Sequence, residues 1–174
     1  DELPQSAAGR TIMTTEPAFI PEESVEINLG SNTTFNVRMI DCVGYIVNSA
    51  IGYSEEDEPR MVKTPWSKDA IPFDDAAEIG TKKVITDHST IGLVITTDGT
   101  ISDIPREDYI ESEKRVINEL KAINKPFIIL LNSVDPAADE AINLSNEMTA
   151  EYKVPGIPVS CMELDETEIK RILA

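Results

Sequence analysis

The chain has 174 residues, and its 32 Asp+Glu against 15 Lys+Arg give a formal net charge of −17. That length suits one domain burying roughly 70% of its unfolded surface, and with aromatics at 5% the core must be aliphatic. The charge argues against nucleic acid or anionic lipid as the main partner, because both are polyanions, and no apolar run approaches the ~20 residues of a spanning helix.

The start, Asp1-Glu2-Leu3-Pro4, lacks the basic-then-apolar order of a secretory leader. It also lacks an initiator Met, which reads as a segment of a longer chain. Cys42 and Cys161 sit among apolar neighbours and are expected as buried thiols in a reducing cytosol, not as a disulfide. A single His cannot build a zinc site alone.

In chain order, Val25 to Leu29 and Phe35 to Ile40 alternate polar and apolar residues around the turn-forming Ser31-Asn32-Thr33-Thr34, a hairpin pattern. Residues 45–72 are irregular, with Pro59, Pro65, Pro72 and the acidic run Glu55-Glu56-Asp57-Glu58, and read as a long loop or insertion. From Phe73 a helical period begins: Phe73, Ala76, Ala77, Gly80 and Val84 share one face. Gly80 in mid-helix costs about 1 kcal/mol relative to Ala, a cost that close helix packing would offset.

Ile91 to Ile95 is nearly all apolar and ends in Thr96-Thr97-Asp98-Gly99, where Asp98-Gly99 makes a turn. Pro105 suits a helix start, with Val116, Leu120 and Ile123 as its apolar stripe and Asn124 as its C-cap. Phe127 to Leu131 is a second apolar strand, followed by a helix over 138–152, a short strand from Gly156 to Met162 and a final helix from Glu163. Strands apolar on both faces, each followed by a helix, specify a mostly parallel α/β sheet covered on both sides, in a single domain over 1–174 with one antiparallel hairpin strand.

In such sheets the chemistry lies beyond the carboxyl ends of the strands. After Phe35 to Ile40 stands Asp41-Cys42-Val43-Gly44. A carboxylate there can hold Mg²⁺ through water, and a glycine three residues on lets a backbone N–H approach a γ-phosphate. A turn or cap carboxylate is the competing reading of Asp41. After Phe127 to Leu131 stands Asn132-Ser133-Val134-Asp135, which resembles the Asn-Lys-x-Asp base-reading element of GTPases. Val159-Ser160-Cys161 stands where GTPases place a small residue, here Ser160, against the base. The series is similar to the P-loop GTPase topology from its second strand to its last helix. None of the eight glycines is followed by Lys, so no Gly-x-x-x-x-Gly-Lys-Ser/Thr is present. The P-loop and its central strand are expected upstream of Asp1, and this segment alone is expected to bind nucleotide weakly or not at all.

Residues 1–17, Asp41-Cys42-Val43-Gly44-Tyr45, Ala76 to Thr81, His88 to Gly92, Ile95 to Ile101 and Asn132-Ser133-Val134 together resemble the stage IV sporulation protein A family. The resemblance implies an ATP hydrolase that is similar to translation-factor-type GTPases, with ATP and Mg²⁺ as ligands. It implies irreversible self-polymerisation into the basement layer of the spore coat, on the mother-cell cytoplasmic side of the forespore outer membrane. It implies other coat proteins and a small membrane-bound amphipathic peptide as partners. By the same resemblance Thr14 and Thr15 match sensor threonines, with Thr15 beside the metal, and Asp41 matches the Walker B aspartate. Without it, Thr14-Thr15 reads as an ordinary β-prone pair. Residue chemistry alone leans slightly to GTP, because Asp135 suits guanine although Ser133 replaces the Lys that stacks on the base, whereas the resemblance implies ATP, which is the expectation taken here.

Two other classes compete. One is a non-catalytic structural module of the coat. The other is a Mg²⁺ phosphotransfer domain of the receiver or haloacid-dehalogenase kind, disfavoured because no Asp-x-Asp follows a strand and no Lys stands at a strand end.

Overall fold

The computed structural model describes residues 18–28, 33–47, 49–50, 54–55, 58–64 and 67–173. Strand β1 (Ala18–Asn28) pairs antiparallel with β2 (Thr34–Asp41), Ala18 opposite Asp41 and Ile27 opposite Phe35, with an irregularity between Ile20 and Val25. The expected antiparallel pairing is therefore present, and Ser31 and Asn32 of its expected turn lie outside the described residues. The Arg38 guanidinium stacks 4.2 Å over the Phe19 ring, a cation–π contact on an otherwise open ribbon. Within the expected insertion run the two-residue strands β3 (Ser54–Glu55), β4 (Glu58–Pro59), β5 (Met61–Val62) and β6 (Ile71–Pro72), which pair as β3–β4 and β5–β6.

Helix α1 (Phe73–Lys83) carries Asp74 and Asp75 in its first turn and Lys82 and Lys83 in its last, the order its dipole favours. Its expected face is the one that is buried: Phe73, Ala76, Ala77 and Gly80, with Val84 just beyond. It runs into a π turn (Val84–His88), which the periodicity does not announce.

Three parallel strands form the main sheet in the order β7 (Gly92–Thr97), β8 (Phe127–Asn132), β9 (Gly156–Val159). Helix α2 (Arg106–Ala122) connects β7 to β8, helix α3 (Asp139–Tyr152) connects β8 to β9, and α4 (Glu166–Leu173) closes the chain. On one sheet face Val94, Phe127, Ile129 and Leu131 pack against Ile117 and Leu120 of α2 and Met148 and Tyr152 of α3.

Four expectations need correction. Of the expected α2 stripe, Leu120 lies in the core and Val116 packs against it, but Ile123 does not belong. Glu113, Ile117 and Leu120 are buried, whereas Ile123 is 41% exposed. The helix ends at Ala122, and Asn124 turns left-handed (φ 52°), so Ile123 leaves the helical phase. The sheet is not covered on both sides throughout: on the face opposite the core Leu130 is buried, but Leu93 and Ile95 of β7 stand open, Ile95 at 60% exposure. β9 stops at Val159 because Ser160 to Glu163 forms a turn, closed by the Glu163 N–H on the Ser160 carbonyl at 3.0 Å. Cys42 and Cys161 are half-buried free thiols, and burial pushes both thiol pKa values up.

Ile129 is fully buried between the two helices. Ile129→Ala is expected to cost about 2–5 kcal/mol, read as a lower urea midpoint at unchanged slope. A loss below about 1 kcal/mol would show that this face is not the core.

Candidate functional site

Parallel register fixes the site. Thr97 lies opposite Asn132, and Asn132 opposite Val159, so the three chain segments leaving β7, β8 and β9 emerge on one rim. After β7 the chain turns through Gly99 at φ +91°, where an added Cβ would stand 2.9 Å from the Arg106 backbone nitrogen. This position therefore demands glycine twice, for its dihedral and for the closeness of α2.

Asp98 is the centre of the rim. Its Oδ1 accepts the Thr100 N–H at 3.0 Å and the Thr100 hydroxyl at 2.6 Å, and its carboxylate also hydrogen-bonds the buried Ser133 hydroxyl. Burial pushes the Asp98 pKa up, but these hydroxyl and amide donors outweigh it and hold the carboxyl below its usual range. Thr100 Oγ1 in turn accepts the Val134 N–H at 3.0 Å, and Ser133 Oγ accepts the Asp135 N–H at 3.1 Å. The Asp98 N–H donates to the Asn132 carbonyl at 3.3 Å. The bonds thus sew the loop after β7 to the loop after β8.

Asn132 ends β8, and its Oδ1 accepts the Cys161 N–H at 2.9 Å, joining the β8 and β9 loops next to Ser160. Asp135 is exposed, and its Oδ1 accepts the Ala137 N–H at 3.1 Å, shaping the approach to α3. Asn132, Asp135 and Ser160 therefore all stand on the loops that leave this one rim. Ser133, by contrast, faces inward and is 2% exposed.

Asp41 is exposed at the end of β2, and among the described residues no ladder joins β2 to β7. The following loop crosses to the helices. Gly44, at φ +78°, donates its N–H to Thr81 Oγ1 at 3.1 Å, and the Thr81 hydroxyl donates to the Gly44 carbonyl at 3.3 Å. The Gly44 N–H that the sequence offers to a phosphate is thus held by α1 in this structure. Tyr45 donates to Glu119, and the Ser112 hydroxyl to the Ile46 carbonyl at 2.6 Å, which fastens the loop to α2. Thr14 and Thr15 lie outside the described residues.

Beneath the rim lies a polar group that sequence reasoning missed. Glu113, 4% exposed, faces Arg106: Nη2 donates to Oε1 at 3.0 Å and Nη1 stands 2.7 Å from Oε2. Arg106 Nη1 also donates to Thr96 Oγ1 at 3.1 Å, and the Tyr152 hydroxyl to Glu113 Oε1 at 2.8 Å. Burial and the Glu113 carboxylate push the Tyr152 pKa up. The available signal was spacing: Arg106, Glu113, Ile117 and Leu120 fall on one helical face, so a Glu on that face needs a partner.

Among the described residues no cluster of three or more His, Cys, Asp or Glu could hold a metal ion by itself. An oxygen-liganded Mg²⁺ that arrives with phosphates needs only one or two protein carboxylates, and the exposed Asp41 fits that donor set. Nor, among the described residues, is any helix long and apolar enough to cross a membrane.

The class defined so far is a mixed α/β domain with a three-stranded parallel sheet, antiparallel ribbons beside it and a polar rim at the strand ends. Comparison with known sequences narrows this: residues 1–174 match the family described as Stage IV sporulation protein A, ATPase domain, and the chain belongs to it. It is 55% identical to Stage IV sporulation protein A of Bacillus anthracis, 51% to that of Bacillus subtilis (strain 168) and 49% to that of Clostridioides difficile (strain 630), in each case over 99% of this chain. The chain spans 35% of the length of each of these relatives. No solved structure matches it.

Glu113→Ala leaves the half-buried Arg106 without its partner and is expected to cost about 3–5 kcal/mol, whereas Arg106→Met with Glu113→Leu is expected to cost far less. Equal losses in the two variants, measured by urea unfolding, would refute the pairing. The raised Tyr152 pKa favours the neutral phenol in the folded state. Its contribution is thus complete at neutral pH and lost as pH climbs beyond the ordinary value of 10.0. Tyr152→Phe should flatten that alkaline fall in stability.

Proposed function

We propose that this chain is part of an ATP hydrolase whose turnover drives self-assembly of a spore-coat scaffold. The observation that carries the reading is membership of an ATPase-domain family over the whole chain. In this reading the fold is that of a P-loop NTPase of the translation-factor type, seen from its second strand onward. By the same reading, a central strand with its Gly-rich phosphate loop lies upstream and pairs with the edge of β7 that is unpaired among the described residues, between β7 and β2. The exposure of Leu93 and Ile95 supports that location, because a strand and helix added there would cover them.

The reaction is attack of water on the γ-phosphoryl group, where positioning and charge stabilisation do most of the catalysis. Asp41 orients the water shell of the metal, and Thr14 or Thr15 senses the γ-phosphate. Gly44 offers its N–H to the same phosphate after Thr81 releases it. Mg²⁺, when bound, neutralises charge on the β- and γ-phosphates. Asn132, Asp135 and Ser160 form the base end of the site.

The polymer is of the chain's own kind. Its place is the mother-cell cytoplasm at the outer forespore membrane, with other coat proteins and a small membrane-bound amphipathic peptide as partners.

In the full-length protein, Asp41→Ala is expected to lower ATP hydrolysis by about a hundredfold, about 2.7 kcal/mol of barrier, and to abolish ATP-dependent pelleting of the polymer. An unchanged rate removes Asp41 from the machinery. Pelleting that persists without any hydrolysis favours a purely structural module.

A further inference from the structure

The bonds around Asp98 converge in a way the residues of a simple turn do not require. One half-buried carboxylate takes two donors from Thr100 and the hydroxyl of Ser133. Each of those two residues then accepts a backbone N–H from the next loop, Thr100 from Val134 and Ser133 from Asp135. Asp98 therefore fixes both amides that flank the exposed Val134 tip, and through the Asn132 carbonyl its own N–H fixes the strand end that carries them. Past Asn132 the loop keeps a backbone bond at each end, Ser133 N–H to the Val159 carbonyl at 2.9 Å and Ala138 N–H to the Asp135 carbonyl at 3.1 Å, and the side-chain bonds hold the stretch between them.

We propose that Asp98 is the positioning residue of the base-end subsite: by clamping Ser133 and Thr100 it holds the 132–135 loop in the arrangement that receives the nucleotide base. The inference rests on reading the rim as a nucleotide site. Asp98 acts through Ser133 and Thr100 and does not itself touch the phosphates. It governs how tightly the base end binds, not how fast the phosphoryl group leaves.

The test uses the full-length protein. Asp98→Ala is expected to raise KM for ATP about tenfold, the loss of one or two bonds to a charged acceptor, while kcat at saturation is unchanged. Inhibition by inorganic tripolyphosphate, which has no base, should be unaltered. Asp98→Asn, whose Oδ1 still accepts both Thr100 donors, should recover most of the loss. Thr100→Val, which removes the hydroxyl between Asp98 and Val134, should raise KM in the same direction and keeps the test decisive if Asp98→Ala does not fold. A fall in kcat at unchanged KM, or weakened tripolyphosphate inhibition, would move Asp98 to the phosphate end and overturn the proposal. An unchanged KM with a lowered melting temperature would reduce Asp98 to a structural turn and overturn it equally. Failure of the wild-type protein to turn over ATP would sink the reading of the rim itself, an outcome distinct from a wild type that works and an Asp98 series that does not differ from it.

Discussion

A parallel ladder admits no tight hairpin, so β7 and β8 must each leave the sheet at the carboxyl end and return across a helix, and β9 leaves at the same end into α4. With Thr97 opposite Asn132 and Asn132 opposite Val159, the three departures are level. Three loops that would otherwise be independent are forced side by side, and their polar residues have one another as nearest partners. The rim is a consequence of register: a shift of one residue in β8 would send Ser133 outward and break its bond to Asp98. The core enforces that register, because Phe127, Ile129 and Leu131 must all face α2 and α3.

The ion pair beneath the rim has a different logic. Burying the Glu113 carboxylate costs several kcal/mol, and its ion pair with the half-buried Arg106, with extra bonds from Thr96 and Tyr152, offsets that without turning it into a large net gain. What the pair contributes is geometry. Arg106 is the first residue of α2 and its backbone lies against Gly99, while its side chain reaches Thr96 on β7. The start of α2, the end of β7 and the Asp98 turn are thereby held in one relation, tied to α3 through Tyr152.

Strands and helices are legible in the sequence where the apolar pattern is unmixed. Ile91 to Ile95 and Phe127 to Leu131 announce β7 and β8, and the face from Phe73 to Val84 announces α1. Counting only apolar residues finds Val116 and Leu120 on α2 but skips Glu113 and runs one position too far, to Ile123, past the helix end. The rim is half legible. Asn132, Asp135 and Ser160 stand out because each follows a strand, but Asp98 reads as a turn-former and Ser133 as a missing Lys. Neither reading considers that two loops far apart in sequence meet; that fact lies in the register, not in either segment. The π turn at Val84–His88 has no signal at all in the periodicity.

The same bonds bear on base choice. Residue chemistry alone leans to guanine, because a carboxylate such as Asp135 can accept from N1–H and the exocyclic amine together, one oxygen for each. Here Asp135 Oδ1 already accepts the Ala137 N–H, and Asn132 Oδ1 already accepts the Cys161 N–H. Each of these oxygens keeps a second lone pair, so the bonds to Ala137 and Cys161 leave room for a further donor, just as Asp98 Oδ1 takes two from Thr100. Ser133 offers no stem for a base to lie on, since it is buried against Asp98. What departs from the guanine-reading motif is therefore Ser133, which is buried and gives the rim no stacking stem, while the oxygens of Asn132 and Asp135 shape the loops without being exhausted by them.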